Sequence, residues 1–326
     1  MGCAKNAKSA GSRGVIMKFK NTVNIFVIFI IVFSLFSLSS CNKTDTEKKD
    51  KLLVVTTLFP LYDFAKAVSG NTAEIILLTQ PGVDSHSFEP KSSDMIKVSE
   101  CDLFIYTGEN MELWAKKLIS SVKSESTVIC DTSKGITLEH THNDKESTQH
   151  LHNVDPHIWT SPKNAKIMVQ NICNAFSKAD KKNEEIYQKN TNEYLKELDK
   201  LDNDFEDTFS KHIDKTFVFT SRFPFLYLSK DYNIKYISAF ESCSLETEPD
   251  IKSMTTLIDT INRENIKTVF YTELSDTKIT DAVKSQTGVK SSLFHSCHNV
   301  TKEEFERGET YLSLMRNNIK ALEGLK

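Results

Sequence analysis

The chain has 326 residues and a formal net charge of −3. This length exceeds that of a typical single domain, so it predicts two domains, or one large domain, with room for a sizeable core. Residues 1–40 carry five basic side chains and no acidic one, which leaves the rest of the chain distinctly acidic. That distribution disfavours nucleic acid as a partner and is compatible with a cation.

The N-terminal segment has the pattern of a secretory signal. Lys18 and Lys20 precede a strongly apolar run at 25–38, which is short for a membrane-spanning helix. We interpret residues 1–40 as a signal peptide. Because the residues before Met17 add nothing to such a signal, Met17 is the expected start.

Cys41 follows Leu-Ser-Ser and precedes a polar stretch. Small residues just before a cysteine have the pattern of a lipobox, so cleavage is expected to leave Cys41 as a lipid-bearing N-terminus, with residues 41–50 as a tether. An uncleaved anchor with an incidental cysteine is the alternative. Either interpretation places the remaining chain at the extracytoplasmic face of the cell membrane.

The sequence contains seven cysteines, and five remain beyond Cys3 and Cys41. An odd remainder in an exported chain argues against a full disulfide framework. Three lie in apolar surroundings and are predicted to be small core residues: Cys101, Cys130 and Cys173. The other two, Cys243 and Cys297, lie in polar loops, where a thiolate or a disulfide is expected.

Strands and helices alternate from residue 51 to residue 130. The predicted strands are 51–57, 73–78, 103–107 and 127–130, and the predicted helices are 60–68, 91–99 and 111–121. This alternation predicts a parallel sheet covered by helices on both faces.

The stretch from 131 to 154 has no periodicity and is predicted to be a surface loop. Four histidines interrupt its polar sequence: His140, His142, His150 and His152. Two interpretations stay open, a collector that gathers a transition metal and passes it on, and a solvated low-complexity insertion.

After Pro162 the sequence is helical almost to Ser210, with a break at 180–183. Apolar residues of the second half recur at three- and four-residue steps, and a helix of this length spans roughly 40 Å. We expect a linker helix at 182–212 that acts as a strut between two lobes at 51–181 and 213–326. A coiled-coil arm is the alternative.

The alternation of strands and helices resumes beyond this helix. Strands are predicted at 216–220, 235–239, 268–271 and 289–294, and helices at 224–232, 251–262, 276–285 and 311–322. The sequence therefore predicts an α/β fold with a second parallel sheet.

Four candidate metal ligands follow predicted strands: His86, His157, Cys243 and His295. Because ligands of open α/β sheets collect at the carboxyl ends of strands, these side chains, two from each lobe, are expected to meet in the cleft between the lobes. Imidazole and thiolate donors suit Zn²⁺ better than Mn²⁺ or Ca²⁺.

Four motifs stand out: Pro-Gly-Val-Asp-Ser-His-Ser-Phe-Glu-Pro at 81–90, Leu-Phe-Ile-Tyr-Thr-Gly-Glu-Asn-Met-Glu at 103–112, Asp-Pro-His-Ile-Trp-Thr-Ser-Pro at 155–162 and Tyr-Leu-Ser-Leu-Met-Arg-Asn-Asn at 311–318. In these motifs the chain resembles the metal-specific solute-binding lipoproteins of ABC importers, which take up zinc or manganese. The resemblance implies two α/β lobes joined by one long rigid helix, and metal-binding histidines at His86 and His157.

The chain departs from this family at the third ligand. Family members usually place a histidine or glutamate three residues before a Phe-x-Tyr segment, where Arg222 stands here. Arginine stays protonated and does not bind a cation. Cys243 is the expected replacement, and Glu246 and Glu248 are the alternatives.

At the fourth position, where the family often has aspartate, His295 is expected. Its neighbours Cys297 and His298 are alternatives. A histidine in place of a carboxylate lowers the negative charge of the site, which favours zinc over manganese.

The resemblance implies a lipid-anchored binding protein that captures Zn²⁺ and delivers it to a membrane permease, with no enzyme activity. The alternatives are a manganese-specific binding protein, a surface adhesin and a zinc-dependent hydrolase. The hydrolase would use zinc to activate water, with Glu89 as base. However, the sequence lacks a His-Glu-x-x-His helix, a Gly-x-Ser-x-Gly elbow and a glycine-rich phosphate loop.

Overall fold

The first half of the folded chain is built on a four-stranded parallel sheet. The computed structural model describes residues 51–122, 124–140, 154–212, 215–240 and 249–324. The strands are β1 (Leu52–Thr56), β2 (Ala73–Leu77), β3 (Leu103–Tyr106) and β4 (Val128–Asp131), in the order β2-β1-β3-β4. Val54 packs on one face and Val55 on the other. Burial on both faces of the sheet explains why β1 is apolar at successive positions.

A second parallel sheet repeats this order. Its strands are β5 (Thr216–Phe219), β6 (Lys235–Ser238), β7 (Thr268–Tyr271) and β8 (Lys290–Leu293), in the order β6-β5-β7-β8. The direction of chain progression reverses beside β1 in one sheet and beside β5 in the other. Crevices at the carboxyl ends of strands near such reversals are the usual ligand sites of open α/β sheets.

Ten α-helices cover the sheets in the described chain: α1 (Phe59–Ser69), α2 (Ser92–Glu100), α3 (Ala115–Ile119), α4 (Pro162–Ala179), α5 (Glu184–Ser210), α6 (Leu226–Asp231), α7 (Ile251–Arg263), α8 (Lys278–Thr287), α9 (Lys302–Glu306) and α10 (Tyr311–Glu323). The start of α4 shows the usual signals, because Pro162 occupies its first turn and the Ser161 side chain accepts a hydrogen bond from Asn164 N at 3.2 Å. The predicted α/β fold with two parallel sheets is confirmed.

The long helix α5 connects the parts of the chain that carry the two sheets. It has 27 residues, which corresponds to about 40 Å. One side is buried, including Tyr187, Leu198, Leu201 and Phe205, and the helix contacts α1, α4 and α10. The strut is therefore confirmed, and the coiled-coil arm is wrong because α5 packs on its neighbours.

The largest hydrophobic cluster is shared by both sheets. It joins Val54 and Leu103 of the first sheet to Phe217 and Phe270 of the second, with Phe205 of α5 in the same cluster. The chain from Lys51 to Lys326 forms one compact unit. The lobe boundaries at 51–181, 182–212 and 213–326 stay a prediction.

The helix predicted at 111–121 is limited to α3. Glu112 turns inward before the helix begins, and its carboxyl group accepts hydrogen bonds from Thr57 Oγ1 at 2.6 Å, Thr107 N at 3.1 Å and Gly108 N at 3.2 Å. Burial raises the pKa of Glu112 to about 7. Sequence periodicity counted this residue as part of an amphipathic helix, whereas its side chain holds the end of β3.

The loop after β4 is described only at its base. His140 forms an isolated antiparallel bridge with Val154, and Asp155 N donates to Glu139 O at 2.9 Å. His142, His150 and His152 lie outside the described residues. The metal-collecting role of this loop therefore stays an expectation.

The four cysteines of the described chain are buried free thiols: Cys101, Cys130, Cys173 and Cys297. This confirms the prediction for the first three. Cys297 lies in a loop as predicted, but the expected thiolate or disulfide is wrong, because its free side chain joins the shared core and burial raises the pKa of its thiol. Cys41 and Cys243 lie outside the described residues. Among the helices that the structure describes, none has the length and apolar character needed to span a membrane.

Candidate metal centre

Three histidines converge at the carboxyl ends of the strands. Potential ligand atoms of His86, His157 and His298 all lie within 4.8 Å of one another. The ring centroids are 4.5–5.3 Å apart, and the ring planes meet at 68–89°. The rings therefore do not stack, and the short distances between their nitrogens leave one common point that all three can reach. We call these three residues the histidine triad.

His86 lies on the loop after β2, in a single 3-10 turn at Ser85–Ser87. The Asp84 side chain caps this turn by accepting a hydrogen bond from His86 N at 3.0 Å. The turn is short because Pro81 and Pro90 bound the loop. The His86 ring is thereby held at the edge of the cleft.

This loop is hydrogen-bonded to the loop that carries His298. Gly82 N donates to Val300 O at 2.7 Å, and the Asn299 side-chain amide donates to Gln80 O and Val83 O, both at 2.8 Å. Gly82 adopts φ +83°, a conformation that favours glycine. His86 and His298 are therefore positioned relative to each other by direct contacts between their loops.

His157 is fixed by a buried carboxylate. Asp155 Oδ1 lies 2.8 Å from His157 Nδ1 and accepts the His157 backbone N–H at 2.9 Å. Both side chains are at most 1% exposed. The ionised carboxylate favours a proton on Nδ1, which leaves the Nε2 lone pair facing the cleft. Sequence analysis placed Asp155 in a motif but gave it no role.

Trp159 connects His157 to the opposite loop. Its indole N–H donates to Ser296 O at 2.8 Å, and its ring lies 5.1 Å from the His298 ring. Tyr311 OH donates to Trp159 O at 2.7 Å. Trp159, whose ring packs beside the histidine triad, is therefore also held by a hydrogen bond from α10.

His298 is positioned by Glu273, which follows β7. The Glu273 carboxylate accepts hydrogen bonds from Ser296 N at 2.7 Å, Ser296 Oγ at 2.5 Å and His298 N at 3.1 Å. Cys297 between them adopts the left-handed conformation at φ +58°, which is uncommon outside glycine and asparagine. Sequence analysis missed Glu273, although its place just after a strand end was a usable signal.

The structure does not bring His295 to the other histidines. Its Nδ1 accepts a hydrogen bond from Cys297 N at 2.9 Å, and its backbone N–H donates to the Asn318 side chain at 2.6 Å. Its Nε2 lies 3.7 Å from Glu304 Oε2, and His295 does not belong to the histidine triad. The expected position of His295 is occupied by His298, because the left-handed turn at Cys297 directs the later ring into the cleft.

The expected third ligand remains untested, because residues 241–248 with Cys243, Glu246 and Glu248 lie outside the described chain. Arg222 lines the cavity next to the histidine triad, and its guanidinium lies 3.6 Å from Asp84. This ion pair joins the loop after β5 to the loop that carries His86. The cavity has a volume of about 460 Å³.

The environment favours neutral imidazoles. Burial, and then the nearby His157, lower the pKa of His86 to about 4. Burial lowers the pKa of His298 well below its usual range, and His86, His157 and Arg222 add to the effect. Both rings therefore present lone pairs at neutral pH, as a metal ligand must.

We expect the His86 ring in the metal-free chain to stay neutral from pH 8 to about pH 5 and to titrate only near pH 4. The unfolded chain takes up this proton near pH 6.5, so the free energy of unfolding should fall as pH decreases from about 6.5 to about 4. Histidine ring resonances followed by NMR will test the titration, with the urea-unfolded chain as control. A midpoint near 6.5 in the folded chain would contradict it.

The geometry fits a zinc ion. Two nitrogens that each lie about 2.0 Å from a tetrahedral zinc are about 3.3 Å apart, and His86 Nε2 and His157 Nε2 are 3.3 Å apart. His298 Nε2 is buried without a hydrogen-bond partner in the part of the chain that the structure describes. Such an orphaned atom is costly unless a ligand satisfies it. The fold and the site define a two-sheet α/β protein with a cleft site for a divalent metal ion.

Comparison with known proteins gives the family. Residues 54–324 match the family described as zinc-uptake complex component A, periplasmic (ZnuA). The chain is 33% identical over 294 residues to the high-affinity zinc uptake system protein ZnuA of Bacillus subtilis, covering 87% of this chain and 92% of that protein. The chain belongs to the ZnuA family of zinc-uptake solute-binding proteins, which confirms the resemblance seen in its motifs.

Two further relatives agree with this family. The zinc-binding lipoprotein AdcA of Streptococcus pneumoniae is 31% identical over 278 residues. The match covers 83% of this chain but only 55% of AdcA. The Zn(II)-bound ZnuA-like domain of that AdcA superposes with a TM-score of 0.72 at 28% identity, covering 84% of this chain and 98% of the domain. The family is one of solute-binding proteins and not of enzymes.

Proposed function

We propose that the chain captures Zn²⁺ at the extracytoplasmic face of the cell membrane and delivers it to the permease of an ABC importer. In this proposal His86, His157 and His298 bind the ion, and a lipid on Cys41 anchors the protein. The observation that carries the proposal is the convergence of three imidazoles at 4.8 Å or less. The zinc-related names of the relatives support the same metal.

The donor set favours zinc over manganese. Imidazole nitrogens suit Zn²⁺, whereas Mn²⁺ prefers carboxylate oxygens. The nearby carboxylates of the described chain are already engaged, since Asp155 accepts hydrogen bonds from His157 and Glu273 accepts them from the loop of His298. These two carboxylates orient the histidines, and the imidazole nitrogens bind the ion.

Zinc is cargo in this proposal, not a catalyst. Glu89, the candidate base of the hydrolase alternative, is exposed at the end of the His86 loop. The buried Asp155 and Glu273 already act as hydrogen-bond acceptors, and both hold ligand-bearing segments in place. A site organised to present three imidazole nitrogens to an ion is suited to capture and transfer.

The test uses the chain expressed without residues 1–40, stripped of metal and titrated with Zn²⁺ in competition with a chromophoric chelator. We expect one tightly bound zinc per chain, a weaker response to Mn²⁺, and a midpoint of thermal unfolding that rises with zinc concentration, because a ligand that binds only the folded state stabilises it. An absence of competition with the chelator would refute the proposal. Zinc-dependent growth of cells carrying the Cys41→Ala variant tests the anchor separately.

A further inference from the structure

The cavity above the histidine triad is larger than a bare metal ion requires. Its volume is about 460 Å³, whereas one water molecule occupies about 30 Å³ in the liquid. The lining includes His86, His157 and His298 as well as Arg222. Space for a small molecule therefore adjoins the metal site.

The histidine triad leaves one position of the metal open. Zinc in proteins is almost always bound by four ligands. The three histidines form the one group of metal-binding side chains with suitable spacing within the described ranges, and no carboxylate or thiolate from those ranges belongs to it. A fourth ligand must come from elsewhere.

Arg222 is placed to hold an anion at this position. Its guanidinium is about one-third exposed and pairs only with Asp84 among the described residues, at 3.6 Å, which is too long for a hydrogen bond. Most of its five N–H donors therefore lack a protein acceptor in the described chain. A guanidinium fork matches the geometry of carboxylate and phosphate oxygens, and it repels a bare cation.

We propose that the site binds zinc together with a small oxyanion, a carboxylate or a phosphate, which replaces water as the fourth zinc ligand and is held by Arg222. This inference rests on the proposed function and names a co-ligand of its cargo. The anion lies between two positive charges, the metal and the guanidinium. The cargo is then a zinc–anion complex instead of the bare ion.

Cobalt provides the experiment, because tetrahedral Co²⁺ absorbs visible light and its bands report a change of ligand. The metal-free chain without residues 1–40 is loaded with Co²⁺ and titrated with acetate or with inorganic phosphate, at an ionic strength held constant with perchlorate. We expect a saturable spectral change with at least one of them, and the acetate and phosphate arms identify the source. Arg222→Gln should weaken the apparent affinity for the anion about 10-fold or more.

Two further variants complete the design. Arg222→Lys keeps the charge but loses the fork, so an intermediate affinity is expected. Arg263→Gln removes an exposed arginine that pairs with Glu264 and should behave as the unmodified chain. If Co²⁺ binds but its spectrum ignores both anions, or responds equally in Arg222→Gln, the inference is overturned. A sulfur-to-cobalt charge-transfer band in the absence of anion would also overturn it, because Cys243 would then be the fourth ligand. Failure of the chain to bind any metal would refute the proposed function instead.

Discussion

Replacing His86 with alanine and His157 with asparagine in one chain should abolish tight Zn²⁺ binding. Loss of an outer hydrogen-bond partner of a metal ligand typically weakens binding about 10- to 100-fold. Loss of two ligands should cost more, so we expect a decrease beyond about 100-fold. Competition with a chromophoric chelator measures the change.

The choice of asparagine at 157 separates binding from folding. Alanine would leave buried Asp155 without its His157 side-chain partner, at a cost of about 1–3 kcal/mol in stability. The asparagine amide can still donate to Asp155 while offering no imidazole nitrogen. His140→Ala, at an exposed position at the base of the histidine-containing loop, is the matched control and should keep its affinity. An unchanged affinity in the double variant would remove the histidine triad as the zinc site.

Replacing two neighbouring histidines, one at a time, should lower zinc affinity to very different extents. His298→Ala should lower zinc affinity by more than about 100-fold, because it removes a ligand. His295→Asn should lower affinity less than about 10-fold, because the asparagine oxygen can still accept the hydrogen bond from Cys297 N. Its main effect should be on thermal unfolding, since His295 is only 2% exposed.

Chelator competition and thermal unfolding, measured on both variants, decide between these residues. A larger loss of affinity in His295→Asn than in His298→Ala would restore His295 as the ligand. Equal losses would indicate that the loop acts as a unit, and the crystal structure of the zinc complex would then be needed to assign the donor.

The fold could be predicted from local sequence because its determinants are local. Apolar runs such as Leu52–Thr56 alternate with helices that start at proline or serine, and this alternation leads to parallel sheets. That His86 and His157 lie close together was also predictable. Each lies in a short loop bounded by prolines or large aromatic residues, so its direction is set by near neighbours.

The choice between His295 and His298 could not be made from sequence. It depends on a left-handed turn at Cys297 and on hydrogen bonds from Ser296 N and His298 N to Glu273, which lies 23 and 25 residues earlier. Both are tertiary effects with no periodic signal. The hydrophobic core shared by both sheets could not be predicted from sequence either. The apolar periodicity of a helix shows that one face is buried, but it does not show which sheet covers that face.

The apolar cluster that spans both sheets restricts how the cargo enters and leaves. In a hinge-bending receptor, two domains rotate apart around a flexible linker, and water fills the cleft between them. Here such a swing would divide the cluster that contains residues of both sheets and Phe205 of α5, and it would expose apolar surface, at about 25 cal/mol for each Å². Entry and exit of the ion must therefore rely on small displacements of the loops above the strands, while the framework beneath them stays rigid.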